Sequence, residues 1–129
     1  MEQKKRLKIV YACSGCSSAA QMANWMALKM DREGFAEMSC IAGVGGAIQP
    51  LLAKARQADV IIGLDGCSLK CVVHCLARAG LNCDFHYDLS HFGVQKNYRE
   101  DFDLHEAERI YSEIKSGLKE IENGSLGIN

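Results

Sequence analysis

The run Val60-Ile61-Ile62-Gly63-Leu64, closed by Asp65-Gly66-Cys67, most constrains the fold of this chain. Near-continuous apolar residues of this length describe a parallel strand covered on both faces, because alternation with polar residues is what a half-solvated strand would show. The strand then meets a glycine turn and delivers thiols, at Cys67 and Cys71, to the mouth of a helix. An earlier segment repeats the arrangement: Leu7-Lys8-Ile9-Val10-Tyr11-Ala12 runs into Cys13-Ser14-Gly15-Cys16. Two strand ends that carry thiols invite a shared site.

The intervening segments alternate in the same manner. A helix is expected to start near Ser17 or Ser18, with Ser18 and Gln21 in capping-box spacing, to run from Ala19 to about Asp31, and to stop at Gly34. Met22, Met26 and Met30 form its stripe, which reads as core packing. A second strand, Phe35 to Ile41, carries Cys40 into the glycine-rich Ala42-Gly43-Val44-Gly45-Gly46. That stretch lacks the Lys-Ser/Thr ending of a phosphate loop and the spacing of a dinucleotide fingerprint, so it is expected to be a flexible connection beside the site. Pro50 suits the first turn of a helix over Leu51 to Gln57. Another helix, beginning near Cys67 and ending at Gly80, precedes an alternating edge strand from Asp84 to Leu89. Leu104, Ala107, Ile110, Tyr111, Ile114, Leu118 and Ile121 mark an amphipathic helix from about Asp103 to Glu122, stopped by Asn123-Gly124.

Strands alternating with helices predict an α/β domain. We expect one domain over 1–129, with flexible ends at 1–6 and 123–129. Its core would be a small doubly wound parallel sheet, Rossmann-like or flavodoxin-like, of four strands in the order 2-1-3-4 with helices on both faces. Such a sheet gathers ligands at the C-terminal edge of its strands, beside the point where the order reverses.

With 15 basic and 16 acidic residues spread along the chain, there is no basic footprint for a phosphate backbone, and nucleic acid is not an expected partner. No stretch approaches the roughly 18 apolar residues of a membrane span, and the basic start lacks a secretory apolar region. A cytoplasmic protein with no membrane partner is therefore expected. Seven cysteines in such a chain favour metal or thiol chemistry over a disulfide framework. Cys75 and Cys83 best suit a buried, inert role.

The expected sheet order makes neighbours of the loops that carry Cys13, Cys16, Cys40 and Cys67, at about 4.8 Å per strand step. The two-residue gap of Cys13-Ser14-Gly15-Cys16 lets both thiolates reach one zinc ion around a tight turn. Cys67 and Cys71, read as four apart in a helix, share a face with a rise of about 6 Å, whereas Cys75 is about 12 Å of rise from Cys67 and is excluded. The metal ligands expected are Cys13, Cys16, Cys67 and Cys71, with Cys40 as a fifth thiol that can substitute for one of them. Two helix N-termini facing the thiols should lower their pKa values.

A thiol-based redox or nucleophilic enzyme using Cys13/Cys16 and Cys67/Cys71 is the alternative, and an iron–sulfur protein is the third reading. The thioredoxin-like form of the alternative is weakened because the only proline, Pro50, falls at a helix start. A phosphate-loop thiol enzyme is weakened because Ser14 to Ala20 holds no arginine. Asp65 is expected to accept a hydrogen bond near the site or to serve as a helix-start anion, ahead of a role as general base. His74, His86, His91 and His105 show no metal spacing and are assigned to surface or loop positions. The segment His91 to Lys96 is a candidate cover for the site.

Leu64-Asp65-Gly66-Cys67, taken with Cys13-Ser14-Gly15-Cys16-Ser17 and Ser39-Cys40-Ile41-Ala42-Gly43, resembles the DGC-domain family, named for its Asp-Gly-Cys motif. The resemblance extends roughly from Lys8 to Lys96. It implies a small prokaryotic protein with four potential zinc-chelating cysteines, and its protein partner and reaction stay open.

Overall fold

The computed structural model describes residues 6–122. Of the flexible ends expected at 1–6 and 123–129, residues 1–5 and 123–129, with the Asn123-Gly124 stop, lie outside the described residues. In chain order the elements are β1 (Lys8–Ala12), α1 (Ser18–Arg32), β2 (Glu37–Met38), α2 (Ile41–Gly45), α3 (Gln49–Gln57), β3 (Val60–Asp65), α4 (Cys71–Arg78), β4 (Phe85–Asp88), a 3₁₀ turn (Leu89–Phe92) and α5 (Leu104–Glu122).

All strand pairings are parallel, in the order β2-β1-β3-β4. This is the expected doubly wound arrangement, and the alternating β4 does lie at an edge. Strand geometry splits the apolar residues between two layers. Val10, Ala12, Ile62 and Leu64 pack against α1 and α5, where Met22, Met26 and Met30 are completely buried. On the opposite face Ile9, Tyr11 and Ile61 meet Val44 of α2, Leu52 of α3 and Leu76 of α4. Every residue of β3 is buried, which is why its sequence is apolar without alternation. Aspartates fix the far edge: Asp59 accepts from the Leu7 N–H at 2.6 Å, and Asp84 accepts from the Ile61 N–H at 2.7 Å.

Three local expectations change. Ser17, not Ser18, caps α1, its hydroxyl accepting from the Ala20 N–H at 3.1 Å. The second strand shrinks to Glu37–Met38, and the glycine run after it is no flexible connection but the helix α2. The glycines there permit close packing: a Cβ on Gly43 would overlap Leu51 Cδ1 at 1.8 Å, and one on Gly45 would meet Cys75 Sγ at 3.0 Å. The third change concerns the helix after β3. It begins at Cys71 rather than near Cys67, with Lys70 before it in the left-handed region at φ 53°.

Helix α5 is tied to the end of α1 by Glu33, which accepts from the Tyr111 hydroxyl at 2.5 Å and from Lys115 Nζ at 2.7 Å. The Lys115 ammonium, the Tyr111 hydroxyl and the Lys29 ammonium pull the Glu33 carboxyl down from 4.5 to about 2. A carboxyl depressed in the folded state contributes stability that is complete above its unfolded value and is lost as pH falls through the folded one. We expect the stability difference between the wild type and a Glu33→Gln variant to shrink as pH falls from 4.5 towards 2 in thermal melts. A difference that stays constant over that window would contradict the assignment.

Candidate functional site

The pairing of β1 with β3 builds the site. Their register places Ala12 beside Leu64, and the ladder extends past both strands because the Cys13 N–H donates to the Leu64 carbonyl at 3.2 Å. Two residues beyond Leu64, the Gly66 N–H donates to Cys13 Sγ at 3.3 Å. The first thiol turn is thus bonded directly to the Asp-Gly-Cys turn. Cys13 is half-buried and touches both core layers, while Cys16 is exposed at the entrance to α1. Gln21 steadies the turn between them by donating to the Gly15 carbonyl at 2.6 Å. Ser14 stands in the left-handed region at φ 46°, as Lys70 does in the other thiol turn. Such a conformation costs a residue with a side chain about 1–2 kcal/mol, so both turns are held by their surroundings.

Asp65 is fully buried at the end of β3. One carboxylate oxygen accepts from the Val72 N–H at 3.0 Å, and the other lies 2.8 Å from His86 Nε2. The expected helix-start anion is therefore present: a negative charge faces the unsatisfied N–H groups of α4. His86 corrects its assignment to surface or loop. It lies on β4 opposite Gly63, half-buried, and leans along the strand to reach Asp65. The alternation of Phe85, His86 and Tyr87 marks which way the imidazole points. The register that brings it to Asp65 belongs to the β3–β4 pairing, which sequence does not display. His74, His91 and His105 are exposed, as assigned.

Cys67 lies in the bend that follows β3, and Cys71 opens α4, so the two do not share a helix. The helix-rise ground for excluding Cys75 disappears with that correction, since Cys71 and Cys75 are the pair one turn apart on α4. Cys75 instead packs against Gly45 of α2, half-buried in the second core layer. Cys83 lies under Gly63 beside Val72, and burial followed by the charges of Asp65 and Asp84 pushes its thiol up to about 11. Both have the packing role expected of them. Cys40 is exposed at the start of α2 and shares an open cleft of about 400 Å³ with Ser14, Asn24 and Ser39.

The expectation that helix dipoles lower the thiols fails at Cys13. Burial pushes this thiol up, more than the Gly66 and Gly15 N–H groups pull it down, and the charges of Asp65 and Cys71 add to the rise. The buried Asp65 carboxylate faces the α4 terminus that was to supply the positive potential.

Sequence reading also missed the role of Lys96. The segment after the 3₁₀ turn is pinned to the start of α1: the Ser18 N–H donates to the Asn97 carbonyl at 2.8 Å, and the Asn97 N–H donates to Ser18 Oγ at 3.0 Å. Val94 is buried beneath it. Lys96, carried between these anchors, donates from Nζ to Cys67 Sγ at 3.5 Å and lies over the Tyr98 ring. The segment thus reaches the site it was expected to cover. The only sequence signal was its place in the chain.

Four thiols at one sheet edge are the donor chemistry that zinc takes. Among the described residues, however, no group of three or more histidine, cysteine, aspartate or glutamate side chains stands gathered to hold an ion. No described helix is long and apolar enough to cross a membrane.

A family model described as DGC domain matches residues 9–114. The chain is also 50% identical over 109 residues to the anaerobic and virulence modulator AnvM of Pseudomonas aeruginosa, an alignment spanning 84% of this chain and 83% of that protein. No solved structure matches it.

Proposed function

The chain belongs to the DGC-domain family, and from that membership we propose that it binds zinc through the thiolates of Cys13, Cys16, Cys67 and Cys71, with Cys40 able to replace one of them. The observation that carries this reading is the bond from the Gly66 N–H to Cys13 Sγ, which joins the turn of one cysteine pair to the turn of the other. Cys13 and Cys67 are the half-buried members, and Cys16 and Cys71 are exposed. Holding one ion would draw these exposed side chains towards the half-buried pair, since no group of three or more such ligands stands gathered among the described residues. Zinc supplies there a soft Lewis-acid centre that holds thiolates together at neutral pH.

Four thiolates around a divalent ion leave a net negative charge. The Lys96 ammonium beside Cys67 offsets part of it. The Pseudomonas relative is named an anaerobic and virulence modulator, and a domain whose thiols take up metal suits such a role. The test is to purify the chain without added metal, under reducing and anaerobic conditions, and to measure zinc, iron and free thiols per chain. Stoichiometric zinc that is lost in a Cys13→Ser/Cys67→Ser variant supports the reading. Metal-free protein with a rapidly alkylated thiol replaces it with thiol chemistry, and a brown, iron-containing product replaces it with a cluster.

A further inference from the structure

Lys96 is delivered to Cys67 by a built device. Ser18 holds Asn97 by two bonds, its N–H donating to the Asn97 carbonyl and its hydroxyl accepting from the Asn97 N–H. The Ser18 hydroxyl also donates to the Gln95 carbonyl at 3.4 Å, and buried Val94 anchors the other end. A lysine between two such anchors has its path fixed, and its ammonium ends 3.5 Å from one particular sulfur. Cys67 is only half-buried, so small molecules reach it. The same turn holds Cys13, whose sulfur is bonded to the N–H of the residue preceding Cys67. A cation, an accessible sulfur and a neighbouring thiol held against the same turn are the parts of a two-cysteine oxidation site.

We propose that Cys67 is a peroxide-reactive thiol and that Cys13 captures its oxidised form as a disulfide. The Cys67 sulfur attacks one oxygen of a hydroperoxide. The S–O bond forms as the O–O bond breaks, and the sulfur loses two electrons to the peroxide. The departing hydroxide takes the proton of the oxygen now on sulfur and leaves as water, so that a sulfenate remains and takes up a proton from solvent to become the sulfenic acid. Lys96 Nζ, 3.5 Å from that sulfur, stabilises the negative charge that develops during the attack and the sulfenate after it. The Cys13 thiol then attacks the Cys67 sulfur of the sulfenic acid: the S–S bond forms, the S–O bond breaks, and the Cys13 proton leaves with the departing hydroxide as water. Cys13 is placed for this step, because its sulfur is already bonded to the N–H of the residue next to Cys67. The oxidation requires no bound metal and goes beyond the zinc reading, so either can fail alone.

The test uses the full chain, reduced and chelator-treated, exposed to a limiting amount of hydrogen peroxide with a sulfenic-acid trap present or absent. Peptide mapping should show Cys67 oxidised first among the seven cysteines, and a Cys13–Cys67 disulfide when the trap is omitted. Lys96→Met, which keeps the aliphatic stem, should slow the first step roughly tenfold, and Lys96→Arg should restore most of the rate. Cys13→Ser should leave trapped sulfenic acid at Cys67. Wild-type mapping still decides the pairing if that variant does not fold. Oxidation of Cys67 no faster than that of exposed Cys16 or Cys71, an unchanged rate in Lys96→Met, or a Cys67 disulfide to any other cysteine overturns the proposal.

Discussion

Gly66→Ala is expected to destabilise the protein by about 3 kcal/mol or more, the largest effect of any single methyl group added to the site. A Cβ at Gly66 would fall 2.6 Å from the carbonyl carbon of Ala19, 2.7 Å from the Ala20 nitrogen and 2.8 Å from the Ala19 oxygen. All three atoms belong to the backbone of the first turn of α1, and no side-chain rotation removes the overlap. Either α1 moves off the sheet edge or the Asp-Gly-Cys turn does, and the second movement breaks the Gly66 bond to Cys13. Gly34→Ala provides the comparison. That glycine has a φ of 72° and nothing within 4 Å of an added Cβ, so its cost is the left-handed backbone alone, about 1 kcal/mol. In urea unfolding the Gly66 variant should show the lower midpoint with the slope of the transition unchanged. Equal midpoints for the two variants would mean that the close approach of α1 is not what requires glycine.

The second large effect is expected at Asp65. Its side chain is 1% exposed, and its two oxygens join three elements: β3, which carries it, α4 through the Val72 N–H, and β4 through His86. Asp65→Ala leaves a buried N–H and an imidazole nitrogen without their acceptor, at a cost of about 3 kcal/mol. His86→Ala removes one partner only and should cost about 1 kcal/mol, since the carboxylate keeps its bond to α4. Because the two side chains act on one bond, the double variant should be less destabilised than the sum of the single ones by about 1 kcal/mol. Strict additivity would show that the pair is not coupled. The same variants also bear on the thiols, since Asp65 fixes where α4 begins and therefore where Cys71 stands.

The fold was legible because its main signals are local and repeated. Val60 to Leu64 could only be a covered strand, the methionine stripe of α1 had to face a core, and alternation between strands and helices left few ways to wind the chain. The features that escaped depend on contacts across the fold. Glycines 43 and 45 read as flexibility, but they are absent side chains that let Leu51 and Cys75 approach α2. The start of α4 could not be placed from Cys67 and Cys71, because it is set by Lys70 in a left-handed conformation and by an aspartate reaching forward to Val72. His86 and Lys96 were invisible as site residues for the same reason: one depends on strand register, the other on a loop pinned to Ser18. Thiol type and spacing, with Asp65, drew attention to this sheet edge, whereas His86 and Lys96 reach it from other segments.

The central claim is that the two cysteine pairs serve one metal ion, and zinc binding to pair variants tests it most directly. Wild type, Cys13→Ser/Cys16→Ser and Cys67→Ser/Cys71→Ser should each be titrated with zinc against a competing chromophoric chelator, under reducing conditions. A shared site predicts one tightly bound zinc per wild-type chain and loss of tight binding in both variants, because two thiolates alone leave half the tetrahedral shell to water. Tight stoichiometric binding that survives in either variant would contradict the account.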